Sequence, residues 1–206
     1  KLLKISNALR AYNDNQDEET MSGSKSKESN RPKVRYIEGK SMNSIWVNQS
    51  LGVDPATGYE LFQAVNGDIV TTWSTDNYVI GGCTDSDMEG TFGTNLAWKG
   101  FQLNAIFRYN YGGQIYNQTL VDKVQDADLR ENVDRRVFED RWQKPGDKVM
   151  FTRLIGGATA NVTSVTKPTS RFVEDNNWLE LSTLNVSYEF KMPWMKKIGL
   201  KRLKAL

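Results

Sequence analysis

The 206-residue chain has no histidine. Ser–His and Cys–His nucleophile pairs are therefore excluded, as are nearly all ordinary transition-metal sites. A single cysteine, Cys83, rules out an internal disulfide framework and a multi-thiolate zinc centre. No apolar run approaches the roughly 18 residues of a helical membrane span. Neither sign of charge is in excess: 27 Lys and Arg against 25 Asp and Glu leave +2. So small a balance provides no field to gather nucleic acid over the whole surface. Without histidine, enzyme chemistry would need paired carboxylates, and none stands at strand ends in apolar surroundings. These absences lead us to expect no enzyme, no cofactor, no metal centre and no nucleic-acid partner.

What is present is patterning. Apolar residues make up 38% of the chain and aromatics 11%, too much for a disordered chain of high net charge. Residues 1–12 (KLLKISNALRAY) fit either a helical stripe through Leu2, Ile5, Leu9 and Tyr12 or a broken alternation. Residues 13–32 are polar and read as a solvated loop. Residues 59–73 read as a hairpin turning at Asn66-Gly67, with the two positive-φ positions of a type I′ turn.

Period-two alternation is strongest over residues 91–111. Phe92, Leu96 and Trp98 share one face before Lys99-Gly100, a tight two-residue turn; Phe101, Leu103, Ala105, Phe107, Tyr109 and Tyr111 share one face after it. Residues 178–190 repeat the pattern, with Leu184, Val186, Tyr188 and Phe190 on one face. Between these strands lie residues 112–177, a largely polar stretch of 66 residues, a length that is usually functional or disordered. Alternation by itself fits a half-buried strand of a soluble sandwich first. Two features favour a membrane barrel. Aromatics sit at both ends of the apolar faces, and a two-residue turn is followed by a very long connection. The polar face, with Asn104, Arg108 and Asn110, would then meet a watery lumen.

Several stretches, in order along almost the whole chain, resemble the C-terminal region of SusC/RagA-type, TonB-linked outer-membrane transporters of Bacteroidetes. They are Ile5-Ser6-Asn7-Ala8-Leu9, Ser50 to Gly58 (SLGVDPATG), Trp98-Lys99-Gly100-Phe101, Gly112 to Asn117 (GGQIYN), Arg141 to Asp147 (RWQKPGD) and Ser170-Arg171-Phe172-Val173. The chain departs from the family at residues 81–90, where a Gly-Asp segment followed by Pro is usual. The resemblance implies an all-β fold, antiparallel strands and long extracellular loops from the C-terminal part of a large transmembrane β-barrel, left incomplete. The plug domain and the final strands would lie outside residues 1–206. Strands with unpaired edges would then make this segment unstable alone. The implied activity is import of an oligosaccharide or oligopeptide through the outer membrane of a Gram-negative cell. The implied partners are a SusD-like surface lipoprotein, TonB (through the absent N-terminal region), the solute and the lipid bilayer.

On this reading 112–177 is an extracellular loop region in which Arg141, Trp142, Asp147 and Tyr116 are candidates for contact with ligand or lid protein. Trp offers a stacking face and Arg a planar fork. Asn104, Arg108 and Asn110 are lumen-facing candidates. Asp122, Asp126, Asp128 and Glu131 lack the glycine of an EF-hand loop and read as a solvated acidic face. The cluster Asp134, Arg135, Arg136, Glu139, Asp140 and Arg141 reads as a self-pairing surface turn. Residues 194–200, with Trp194, read as an interfacial turn. The competing reading is a soluble all-β carbohydrate-binding module. The two differ in whether the alternating apolar faces meet lipid or one another.

Overall fold

A computed structural model describes residues 2–22, 30–129, 132–154, 166–190, 199 and 203–205. Residues 194–198 and 200, most of the expected interfacial turn, and Glu131 lie outside the described residues. The strands are β1 (Ser44–Val53), β2 (Glu60–Gln63), β3 (Ile69–Val70), β4 (Tyr78–Cys83), β5 (Met88–Trp98), β6 (Phe101–Tyr111), β7 (Gln114–Tyr116), β8 (Val173–Asp175), β9 (Trp178–Phe190) and β10 (Leu203–Ala205). A helix, α1, spans Leu2–Ser22. The chain divides into two compact units, one of residues 1–85 and 114–175, the other of residues 86–113 and 176–206.

In the first unit, β1 is the spine of a sheet ordered β3-β2-β1-β4. Ile45, Trp46, Val47 and Asn48 are all buried, so this strand is covered on both faces. Gly81 is required beside it, because a Cβ there would come within 2.3 Å of the Val47 side chain. The polar connection that lacked periodicity builds much of this unit. From Gln114 to Asp175 it contributes β7, β8 and a core of Leu120, Val121, Val124, Ala127, Val137, Phe151 and Phe172.

Two expectations are corrected here. Residues 13–22 continue the helix rather than forming a loop. Asn13 donates to Tyr36 O at 3.1 Å and accepts from Tyr36 N at 3.0 Å, and Asp17 pairs with Arg35 at 2.6 Å. Polar side chains thus anchor the second half of α1, where an apolar stripe would normally do so. The Asn66-Gly67 turn is not type I′. Only Gly67 has a positive φ, +92°. Gly67 N donates to Ala64 O and Ala64 N to Asp68 O, both at 2.8 Å. This is a type I turn closed by a left-handed glycine, the three-residue hairpin solution.

The second unit is one antiparallel sheet, ordered β10-β9-β6-β5. β5 and β6 pair without interruption from Met88↔Tyr111 to Trp98↔Phe101. Lys99 (φ +45°) and Gly100 (φ +92°) form the tight turn as expected. A Cβ on Gly100 would sit 2.6 Å from Glu189 O, so β9 also demands glycine there.

β9 holds a feature the alternation alone did not reveal. Its apolar residues change phase, from Leu179 and Leu181 to Leu184, Val186 and Tyr188. The partners of β6 are Ala105↔Leu184, Ile106↔Thr183 and Phe107↔Leu181, with a bulge that leaves Ser182 unpaired. One extra residue restores the phase, and both apolar sets lie on the same side. That side carries Phe92, Leu96, Trp98, Phe101, Leu179, Leu184, Val186 and Tyr188, all exposed; Trp98 is 70% exposed and Leu184 55%. Among the described residues of this unit no second sheet covers it.

Deleting Ser182 alone should leave a regular ladder with Leu179 and Leu181 still on the apolar side, whereas deleting Ser182 and Thr183 together should turn residues 178–181 over, placing both leucines among polar groups. For the double deletion the expected result is loss of amide-exchange protection at 178–181 with protection kept at 184–190. Unchanged protection across β9 in the double deletion would refute this account of the bulge.

Candidate functional site

The polar side of the second unit is built in rows across β5, β6 and β9. Counting from the turn, the rows are Ala97-Gln102-Ser187, Asn95-Asn104-Asn185, Gly93-Ile106-Thr183, Thr91-Arg108-Glu180 and Glu89-Asn110-Trp178. The three lumen candidates therefore share one face with one another, opposite the apolar residues. Asn110 is buried, accepting from Ser86 Oγ at 2.5 Å and donating to Asn176 O at 2.7 Å. Asn104 Oδ1 accepts no hydrogen bond from any described residue. Arg108 is exposed, and its guanidinium carbon lies 5.9 Å from the Trp178 ring centre.

The loop candidates belong to the first unit, and the structure turns much of their chemistry inward. Arg141 is 4% exposed. Its guanidinium donates to the carbonyls of Val137 (2.9 Å), Thr152 (3.0 Å), Gln125 (3.0 Å) and Val124. Val124 and Gln125 end a π-helical turn, Val121–Gln125, whose wide winding leaves terminal carbonyls needing donors. Arg141 supplies them, and burial lowers its pKa. The Trp142 indole donates to Pro55 O at 2.9 Å. Its ring fills the space beside Gly58, where a Cβ would clash at 2.5 Å. The RWQKPGD and DPATG stretches thus lock together. Asp147 accepts from the backbone N–H groups of Gln143 (3.1 Å) and Lys144 (3.0 Å), which lower its pKa. Tyr116 packs on the core in an edge contact with Phe172, and burial raises its hydroxyl pKa far above the usual phenol range. Lys144 and Pro145 at the tip of the turn are exposed.

Sequence reasoning missed Glu60. It lies buried opposite Arg171, with side chains 8% and 7% exposed and a 2.8 Å ion pair. Glu60 also accepts from Ser50 Oγ (2.6 Å) and Thr169 Oγ1 (2.8 Å), while Arg171 donates to Met150 O. The alternation around β2 gave no sign that a carboxylate would face inward. Of the acidic positions, Asp122 and Asp126 are partly buried and Asp128 is exposed. Asp122 accepts from Asn30 and Gln118, and Asp126 from Thr166 N (2.9 Å) and Oγ1 (2.6 Å). Among the described residues no three His, Cys, Asp or Glu side chains converge as metal ligands. Of the charged turn, Arg135 pairs with Glu139 and Arg136 with Asp134, whereas Arg141 leaves the group for the interior.

No protein-family model matches the chain. Two curated proteins of Formosa agariphila do. TonB-dependent receptor P39 is 27% identical over 141 residues, 68% of this chain and 13% of that protein. TonB-dependent receptor P3 is 27% identical over 164 residues, 75% of this chain and 14% of that protein. The solved structure of the RagAB peptide transporter matches the fold with a TM-score of 0.55, at 18% identity, over 72% of this chain and 16% of that one. The chain is thus similar in sequence to TonB-dependent receptors and in fold to part of the RagAB transporter. It spans about one seventh of the length of the curated relatives it matches. The open antiparallel sheet matches part of a β-barrel fold, and the described strands close no barrel.

Two outcomes test the interior of the first unit. Arg171→Met leaves Glu60 buried without a countercharge and should cost about 3–5 kcal/mol in urea melts. Adding Glu60→Gln should recover part of that loss; an Arg171→Met protein as stable as wild type would remove the pair from its assigned role. Burial raises the Asp126 pKa, the largest of its perturbations. The folded form therefore holds its proton more tightly, and this contribution is fully present below about pH 4 and lost as pH rises through the elevated value. Wild type should thus lose stability relative to Asp126→Asn as pH rises from about 4; parallel pH curves would contradict it.

Proposed function

We propose that this chain forms part of an outer-membrane nutrient importer, with the sheet of the second unit spanning the bilayer. Its apolar side faces lipid and its polar side the lumen. The observation that carries this reading is the uncovered apolar face, kept in phase across three long strands and backed by a polar one. Aromatics mark its two ends. Trp98, Phe101 and Tyr188 lie in one row, and Tyr109 and Tyr111 lie at the other end of β6. Ten residues of strand are about 33 Å long, and a tilt of about 40° reduces the height to about 25 Å, the apolar band of an outer-membrane barrel. A soluble β-module would need a second sheet on this face.

In this proposal the Gln114–Asp175 region lies outside the cell. The Arg141–Asp147 turn meets a SusD-like lipoprotein or the solute through its exposed tip. Arg141 and Tyr116 hold that turn in place, and Trp142 and Asp147 shape it. TonB drives import through segments beyond this chain. The solute is an oligosaccharide or an oligopeptide; the RagAB neighbour is described as a peptide transporter.

The test uses the full-length transporter in liposomes, with Cys83→Ser and single spin-labelled cysteines at Leu184, Asn185, Val186 and Ser187. Collision with oxygen should dominate at 184 and 186, and collision with a water-soluble nickel chelate at 185 and 187. Labels at 184 and 186 shielded from both would mean a packed interior and would overturn the proposal.

A further inference from the structure

Buried polar atoms normally find partners, and each exception calls for an explanation such as a bound water or ion. Several such atoms gather on one side of the first unit's sheet. Trp46 and Asn48 stand two residues apart on β1, so both lie on the side opposite Val47. Their partners on β4 are Ile80 and Tyr78. The Arg35 guanidinium covers this side, its carbon 5.9 Å from the Trp46 ring centre and 5.0 Å from that of Tyr78. Trp73 closes it edge-on against Tyr78, with ring centres 5.5 Å apart.

Asn48 is 0% exposed, and Trp46 is buried. Neither Nδ2 nor Oδ1 of Asn48 meets a hydrogen-bond partner among the described residues, and neither do Trp46 Nε1 and Arg35 Nε. Groups close by are satisfied. Trp73 Nε1 donates to Pro168 O at 3.0 Å, and the Asn48 backbone N–H donates to the same carbonyl at 3.2 Å. Arg35 Nη1 donates to both carboxylate oxygens of Asp17, at 2.6 and 2.8 Å.

We propose that this side of the sheet binds ordered water as a fixed part of the fold. Water accepts from Trp46 Nε1, Arg35 Nε and Asn48 Nδ2 and donates to Asn48 Oδ1. Those bonds fit one or two molecules, since a buried water makes about three. The mixture of donors and acceptor selects water over an ion. A small anion would take the donors and leave Asn48 Oδ1 unpaired, and Asp17 already balances the Arg35 charge. A cation would meet a guanidinium and two further N–H donors. The bound water has a consequence for α1. It joins β1 to Arg35, and Arg35 grips Asp17 of the helix, so the helix is tied to the spine of the sheet through solvent held inside the protein.

The experiment uses the full-length transporter. A wild-type crystal grown in bromide should show density within hydrogen-bond distance of Trp46 Nε1 and the Asn48 amide, with no anomalous signal. A bromide peak there would make it an anion site, and an absence of density would leave no ligand; either result overturns the proposal. Hydrogen exchange tests the tie to α1. Asn48→Leu, close in size, removes the water's amide partner. Amides of Asn13–Asp17 and of Tyr36 should then exchange at least about tenfold faster, with those of β6 unchanged. If Asn48→Leu fails to fold, Trp46→Phe, which removes one donor, replaces it. Equal or slower exchange would mean that the variant had merely relieved an unpaired buried group, and the water site falls.

Discussion

Everything in the second unit depends on the phase of side chains along β6 and its two long neighbours. A pleated strand sends successive side chains to opposite sides, so a slip of one residue exchanges the two faces. β5 keeps phase through its uninterrupted pairing with β6. β9 keeps phase only because Ser182 is left out of the ladder. The result is a sheet that can separate two unlike environments, hydrocarbon and water. Without the bulge, Leu179 and Leu181 would lie beside Arg108 on the polar side, and the face would be mixed.

The first unit uses a different device. Around its apolar core, two arginines tie short strands and irregular connections together. Arg171 joins β1, β2, the turn at Thr169 and Met150 through Glu60. Arg141 takes up carbonyls freed by a π-helical turn. A buried ion pair adds less net stability than well-packed hydrocarbon of equal volume. It does fix direction, since a guanidinium fork has few acceptable geometries. That suits long connections which must hold one shape without the regular ladder of a sheet.

The two devices match the two demands of the proposed function. A wall must be uniform along the membrane normal, so it is encoded by repetition. A loop scaffold must present particular groups, so it is encoded by individual contacts such as Trp142 on Pro55 and Asp147 on its own turn.

The sequence by itself determined the hairpin at Lys99-Gly100 and the division of Phe101–Tyr111 into two faces, because period-two alternation and turn glycines are local signals. It also placed Asn104, Arg108 and Asn110 on one side. Only the tertiary structure decided the inward course of Arg141, the burial of Glu60 against a residue 111 positions away, and the helical continuation through residues 13–22. It also decided that the two halves of β9 present one face. Those outcomes rest on partners distant in sequence, or on an unpaired residue whose effect exists only once a neighbouring strand fixes the register.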